Sequence, residues 1–101
     1  MTMLHTVNKS PYQKNSLDTC LRLAKEGSTI LLIEDGVYAA LKGSGMTSKV
    51  EEAMKKFTFC ALGPDVDARG IQDKLIDGIK LVDYNGFVDM AADSSCVQSW
   101  L

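Results

Sequence analysis

The sequence predicts an α/β fold, a small three-layer domain with a mostly parallel sheet of about five strands flanked by helices. Three observations lead there. Short apolar runs rich in β-branched residues alternate with helical patterns along the whole chain. The run Thr29-Ile-Leu-Leu-Ile33 is apolar at consecutive positions, as in a strand buried on both faces. The strand–helix–strand spacing suits right-handed crossovers, which make neighbouring strands parallel.

Met3–Val7 reads as the first strand. Ser16–Lys25 reads as a helix, with Asn15 or Ser16 suited to its N-cap and Gly27 closing it. Thr29–Ile33 is the second strand, bounded by Gly27 and Glu34-Asp-Gly36. Val37–Leu41 reads as a short helix broken by Lys42-Gly-Ser-Gly45, and Thr47–Lys56 as a charged helix. Phe57–Leu62 is the third strand, ended by Gly63-Pro64, and Val66–Gly70 forms one helical turn. Ile79–Val82 is the fourth strand with Asp83 at its end, Asn85–Ala92 the last helix, and Cys96–Leu101 a fifth strand. There is no internal repeat, linker or low-complexity segment.

The 101 residues make one domain, residues 1–101. A domain this small hides only about two-thirds of the surface its unfolded chain exposes, so association with other subunits would help it. Eleven basic and thirteen acidic residues give a net charge of −2, with no basic footprint for direct nucleic acid binding and no polybasic patch for a membrane. No apolar run approaches the ~20 residues needed to span a bilayer, and no signal peptide is recognisable. A cytoplasmic location is the expectation.

Of the three cysteines, Cys20, Cys60 and Cys96, none lies in a CxxC pair, and the only histidine is His5. The odd count and wide spacing do not read as a disulfide framework, and the ligands for a zinc site are missing. Cys20 is the sharpest chemical candidate. Leu17, Cys20, Leu21 and Ala24 share one helix stripe, so the thiol is either a small core residue or a reactive group close to the first strand end. Reactivity would require partial exposure and a positive field, for which Lys9, Lys14 and Arg22 are available. Cys60, mid-strand, is expected buried and inert, and Cys96 exposed with nothing to activate it.

The strand ends carry Asn8-Lys9, Glu34-Asp35-Gly36, Gly63-Pro64-Asp65 and Asp83-Tyr84, a rim suited either to a small ligand or to solvated turns and caps. No GxGxxG or GxxxxGK[ST] loop is present. His5 is expected to pair with a partner subunit or to be a satisfied strand residue, and no Ser-His-Asp or Cys-His constellation follows from residue order. Tyr38, Phe87, Trp100 and Leu101 are candidates for a contact surface, and each suits the core equally well.

Five segments carry a resemblance. They are Leu4-His-Thr-Val-Asn-Lys-Ser-Pro11, Leu32-Ile-Glu-Asp-Gly-Val-Tyr-Ala-Ala40, Leu62-Gly-Pro-Asp-Val-Asp-Ala-Arg-Gly70, Val82-Asp-Tyr-Asn-Gly-Phe-Val-Asp89 and Gln98-Ser-Trp100. In this order, over nearly the full length, the chain resembles the DsrH/TusB family of sulfur-relay proteins. The resemblance implies a DsrE-like fold and a heterohexamer with DsrE/TusD-like and DsrF/TusC-like subunits. It implies that sulfur travels as a cysteine persulfide to a DsrC/TusE-like acceptor, for tRNA wobble uridine 2-thiolation or dissimilatory sulfur oxidation, with no metal or organic cofactor expected. The family's principal carrier cysteine belongs to the DsrE/TusD-type subunit. Cys20 resembles the DsrH type, since members of the tRNA branch commonly lack a cysteine there; this favours the oxidative branch and makes Cys20 the candidate persulfide carrier of a sulfurtransferase subunit. The alternatives are a non-catalytic structural subunit of that complex and a stand-alone small-ligand-binding domain.

Overall fold

The computed structural model describes residues 3–11, 14–43, 45–94 and 96–100. Five strands form, β1 (Met3–Val7), β2 (Thr29–Leu32), β3 (Thr58–Leu62), β4 (Lys80–Val82) and β5 (Cys96–Trp100). They make one sheet in the order β4-β3-β2-β1-β5, and every pairing is parallel. The apolar run of β2 is sandwiched as expected. Ile30 and Leu32 face one layer, Leu31 faces the other, and all three are fully buried.

The helices are α1 (Ser16–Leu23), α2 (Thr47–Ala53), α3 (Gly63–Ala68) and α4 (Tyr84–Asp93). Leu17 and Cys20 of α1, Val50 of α2 and Val66 of α3 pack with Val7, Ile30, Leu32, Phe59 and Ala61 on one face of the sheet. On the other face Phe87, Met90 and Ala91 of α4 cover Leu4, Leu31 and Cys60. The fold is therefore a three-layer α/β domain, but one layer is a single helix with no fully buried residue.

Two segments differ from expectation. Instead of a helix over Val37–Leu41, Glu34–Ala40 forms a seven-residue 3-10 helix that begins inside the anticipated turn. Its i→i+3 pattern is seen in the Gly36 N–H donating to the Ile33 carbonyl at 2.8 Å. Gly36, Ala39 and Ala40 are small enough for this tight coil to press onto the sheet, where all three are buried. Gly63-Pro64 does not merely end β3 but opens α3, so the turn expected at Val66–Gly70 starts earlier. A proline in the first helical turn lacks only an N–H that would have no helical partner there. The chain leaves α1 at Ala24, and Gly27, with φ +92°, takes the following turn. Ser44, in the anticipated break, and Leu101, in the anticipated fifth strand and contact surface, lie outside the described residues.

Candidate functional site

Because every strand runs the same way, the ends of β1, β2, β3 and β4 open on one rim. There the expected segments meet. The Ile33 N–H donates to the Val7 carbonyl at 3.0 Å, seating the turn after β2 on the end of β1. Glu34 follows with φ 50°, a left-handed conformation that non-glycine residues rarely adopt. Its N–H donates to Asp65 Oδ2 at 2.7 Å, which holds it there. Two residues on, Gly36 passes so near the backbone that a Cβ would lie 2.0 Å from the Val7 carbonyl oxygen.

Arg69 ties the rim together, a role that its sequence position did not announce. Its Nη2 and Nε donate to Asp35 Oδ1 at 2.8 and 3.2 Å, and its Nη1 to the Asp65 carbonyl at 3.1 Å. The guanidinium lies 5.8 Å from the centre of the Tyr38 ring. The hydrogen bond to Asp35 raises the affinity of Arg69 for its proton further. Asn8 Oδ1 is buried and accepts no hydrogen bond from the described residues. Asp83 lies beside Gly63 and Pro64 at the β4 end of the rim and caps α4, accepting from the Gly86 N–H at 2.7 Å.

Cys20 is not on this rim. It sits mid-helix on the sheet-facing side of α1 with 0% of its surface exposed, and burial pushes its thiol up to about 12. Fewer than about one such thiol in ten thousand is ionised near neutral pH, and the thiolate is the nucleophile. Lys9, Lys14 and Arg22 do not offset this, since desolvation is its cause. Cys60 is buried under α4 and also raised by burial, with Lys80 opposing. Cys96 is exposed.

His5 is a buried strand residue with an intramolecular partner. Trp100 Nε1 donates to its Nδ1 at 3.0 Å. Of the two readings open for Trp100, Tyr38 and Phe87, contact surface or core, the structure packs all three, partly buried, against the core. Among the described residues, the large apolar side chains that face outward are Leu23, Leu81, Tyr84, Val88 and Val97. Tyr84 and Val88 are one turn apart on the single-helix layer, and Val97 shares that side of the sheet with Leu4, its register partner.

Between α1 and α2 lies a groove of about 950 Å³, lined by Asp18, Arg22, Lys49, Glu52 and Phe57 among others. Cys20 does not line it, and the Lys49–Asp18 ion pair spans it. No helix among the described residues is long and apolar enough to cross a membrane.

Residues 9–97 match the family described as "DsrH like protein". Over 98 residues the chain is 38% identical to "Protein TusB" of Pectobacterium parmentieri, an alignment that covers 97% of this chain and all of the relative. It is 36% identical over 100 residues to "Protein TusB" of Salmonella enteritidis PT4, with the same coverage. The fold is similar to the crystal structure of the ychN protein from E. coli, with TM-score 0.87, 22% identity and 98% of each chain covered. It is also similar to MTH1491, a protein of unknown function from Methanobacterium thermoautotrophicum, with TM-score 0.67, 17% identity and 96% of each chain covered.

Proposed function

Since this chain belongs to the DsrH/TusB family of sulfur-relay proteins, we propose that it works as one subunit of a persulfide-relay complex of the DsrEFH/TusBCD type. The observation that carries the proposal is the end-to-end match to that family, over 97% of the chain and all of the relatives. The outward side of the α4 layer supports it from the structure. Phe87, Met90 and Ala91 cover Leu4, Leu31 and Cys60, while Tyr84 and Val88 on α4 and Val97 on β5 stay in solvent, as suits a chain completed by other subunits. Those subunits are DsrE/TusD-like and DsrF/TusC-like, in a heterohexamer that hands sulfur to a DsrC/TusE-like acceptor. Each transfer exchanges one S–S bond for another. A thiolate attacks the sulfane sulfur of a persulfide, the donor leaves as a thiolate, and the persulfide now sits on the attacker.

The presence of Cys20 pointed towards the sulfur-oxidising branch. The matched curated relatives carry the TusB name, which supports the tRNA branch, with 2-thiouridine at the wobble position as the product.

Cys20 has two roles within this reading. As a persulfide carrier it needs α1 to open, because its sulfur has no surface in the closed chain. As a packing residue it needs nothing, and a partner subunit's cysteine carries the sulfur. Its burial and its protonated state support the second role.

The test is to express the chain with and without the two related subunits, measure native mass, and follow persulfide arrival on the acceptor. A mixed complex whose transfer stops when this chain is withheld is expected. A stable monomer that does not alter transfer overturns the proposal and leaves a stand-alone ligand-binding domain. Intact mass after brief polysulfide treatment assigns Cys20. A reducible gain of sulfur that Cys20→Ser abolishes makes it a carrier, and an equal gain in both makes it packing.

A further inference from the structure

His5 and Trp100 are the only histidine and the only tryptophan of the chain, and they are hydrogen-bonded to each other across the β1–β5 pair. His5 is 3% exposed. The indole N–H donates and cannot accept, so His5 Nδ1 must carry a lone pair and the neutral ring holds its proton on Nε2. That Nε2 is buried and has no hydrogen-bond partner among the described residues. The pair is thus built for one protonation state.

Apart from its five-residue ladder with β1 and its contact with α1, the strand has few anchors among the described residues. β5 is an edge strand that pairs only with β1, and Cys96, Val97, Gln98 and Ser99 are all exposed. Besides the ladder, its described anchors are the packing of Trp100 on the core and a 3.2 Å hydrogen bond between Thr6 Oγ1 and Ser99 Oγ. The rings of His5 and Trp100 lie 6.1 Å apart and tilted by 34°.

We propose that the His5–Trp100 pair is an acid-sensitive latch, which keeps β5 docked while the imidazole is neutral and releases the strand when it is protonated. A proton can enter the ring only at Nδ1, the atom that accepts the indole N–H. Its arrival turns a donor–acceptor pair into two opposed donors and leaves an imidazolium in the interior. Lifting β5 returns both groups to water and opens the edge of β1.

Among the described residues no charge stands ready to hold that imidazolium in place. On the same side of the sheet, β2 presents Ile30 and β5 the uncharged Gln98 in register with His5, β5 also presents Trp100 and Cys96, and α1 turns Leu17 and Cys20 inward. Among the described residues the titratable groups there are the two thiols, of which Cys20 keeps its proton. The charged residues of α1, Asp18 and Arg22, are exposed, and burial alone lowers the proton affinity of His5. The closed strand therefore binds the proton more weakly than the open one, and acid favours opening below about pH 6.5, the ordinary imidazole value.

The test uses the full-length chain, with backbone amide protection followed strand by strand at about pH 7.5 and about pH 5 alongside Trp100 emission. Expected is a loss of β5 protection of about tenfold or more in acid, with a red shift of Trp100, while β2 and β3 stay protected. His5→Gln, which keeps a hydrogen-bond acceptor and cannot titrate in this range, should show no acid step. Trp100→Phe, which removes the indole donor, should leave β5 weakly protected at both pH values, and it decides the matter should the glutamine variant fail to fold. Constant β5 protection in the wild type overturns the latch. So does an acid step that survives in either variant, or a loss of protection shared equally by β2 and β3.

Discussion

The Val7 carbonyl oxygen occupies the space where a side chain on Gly36 would begin: a Cβ there would lie 2.0 Å from it. Both partners are backbone, so neither can swing aside. Gly36 is buried, and the Ile33 N–H already donates to the same oxygen. Gly36→Ala must therefore push the 3-10 segment off β1. A loss of about 3 kcal/mol or more is expected, read as a lowered urea midpoint. An unchanged midpoint would mean that the segment is not pressed against β1 as described.

Arg69 joins the β2 end to α3 with three hydrogen bonds and a ring contact, from a side chain that is mostly buried. Arg69→Ala should cost about 1–3 kcal/mol, because the Asp35 and Asp65 oxygens lose their donors. Arg69→Lys should recover only part, since an ammonium cannot reproduce the fork. Denaturant melts of the two variants, compared with wild type, check the order.

Thiol accessibility separates the cysteines. In the native chain a thiol reagent should label Cys96 rapidly, and Cys20 and Cys60 only as the structure opens. Cys20 adds an alkaline signature. Its thiol titrates near 9.0 when unfolded and at about 12 when folded, so the unfolded chain loses the proton first. Stability is intact below about pH 9 and falls as pH rises through the range up to about 12, by about 1.4 kcal/mol per pH unit from this group. Denaturant midpoints at about pH 8 and about pH 10 measure it, and Cys20→Ala should flatten the dependence.

Val88 is 64% exposed on α4, the helix that covers its sheet face alone. Val88→Asp should leave the stability of the isolated chain within about 0.5 kcal/mol, since the site is wet already. In the proposed complex it should weaken association, by placing a charge in an apolar contact. Native mass measurement of the co-expressed subunits reads this directly, and an undisturbed complex would remove α4 from the interface.

Much of the architecture was legible because it follows from local pattern. Thr29-Ile-Leu-Leu-Ile33 has no polar face to show to water, so it had to lie inside a sheet with layers on both sides. Leu17 and Cys20 share a helix stripe, so that stripe had to turn inward. The boundaries were less legible. Glu34-Asp-Gly36 looks like a plain turn, and only the backbone of β1, distant in sequence, makes it the start of a 3-10 helix.

By itself, then, the sequence determined the α/β class, the number of strands and the family, because hydrophobic period and ordered motifs are properties of the chain. The tertiary structure decided which groups meet. Arg69 finds Asp35 from 34 residues away, and Trp100 finds His5 from 95. It also decided that Cys20 is sealed and that Val88 is open. Such facts depend on how layers close over one another, and a thiol on an inward stripe keeps or loses its reactivity according to the water that closure leaves beside it.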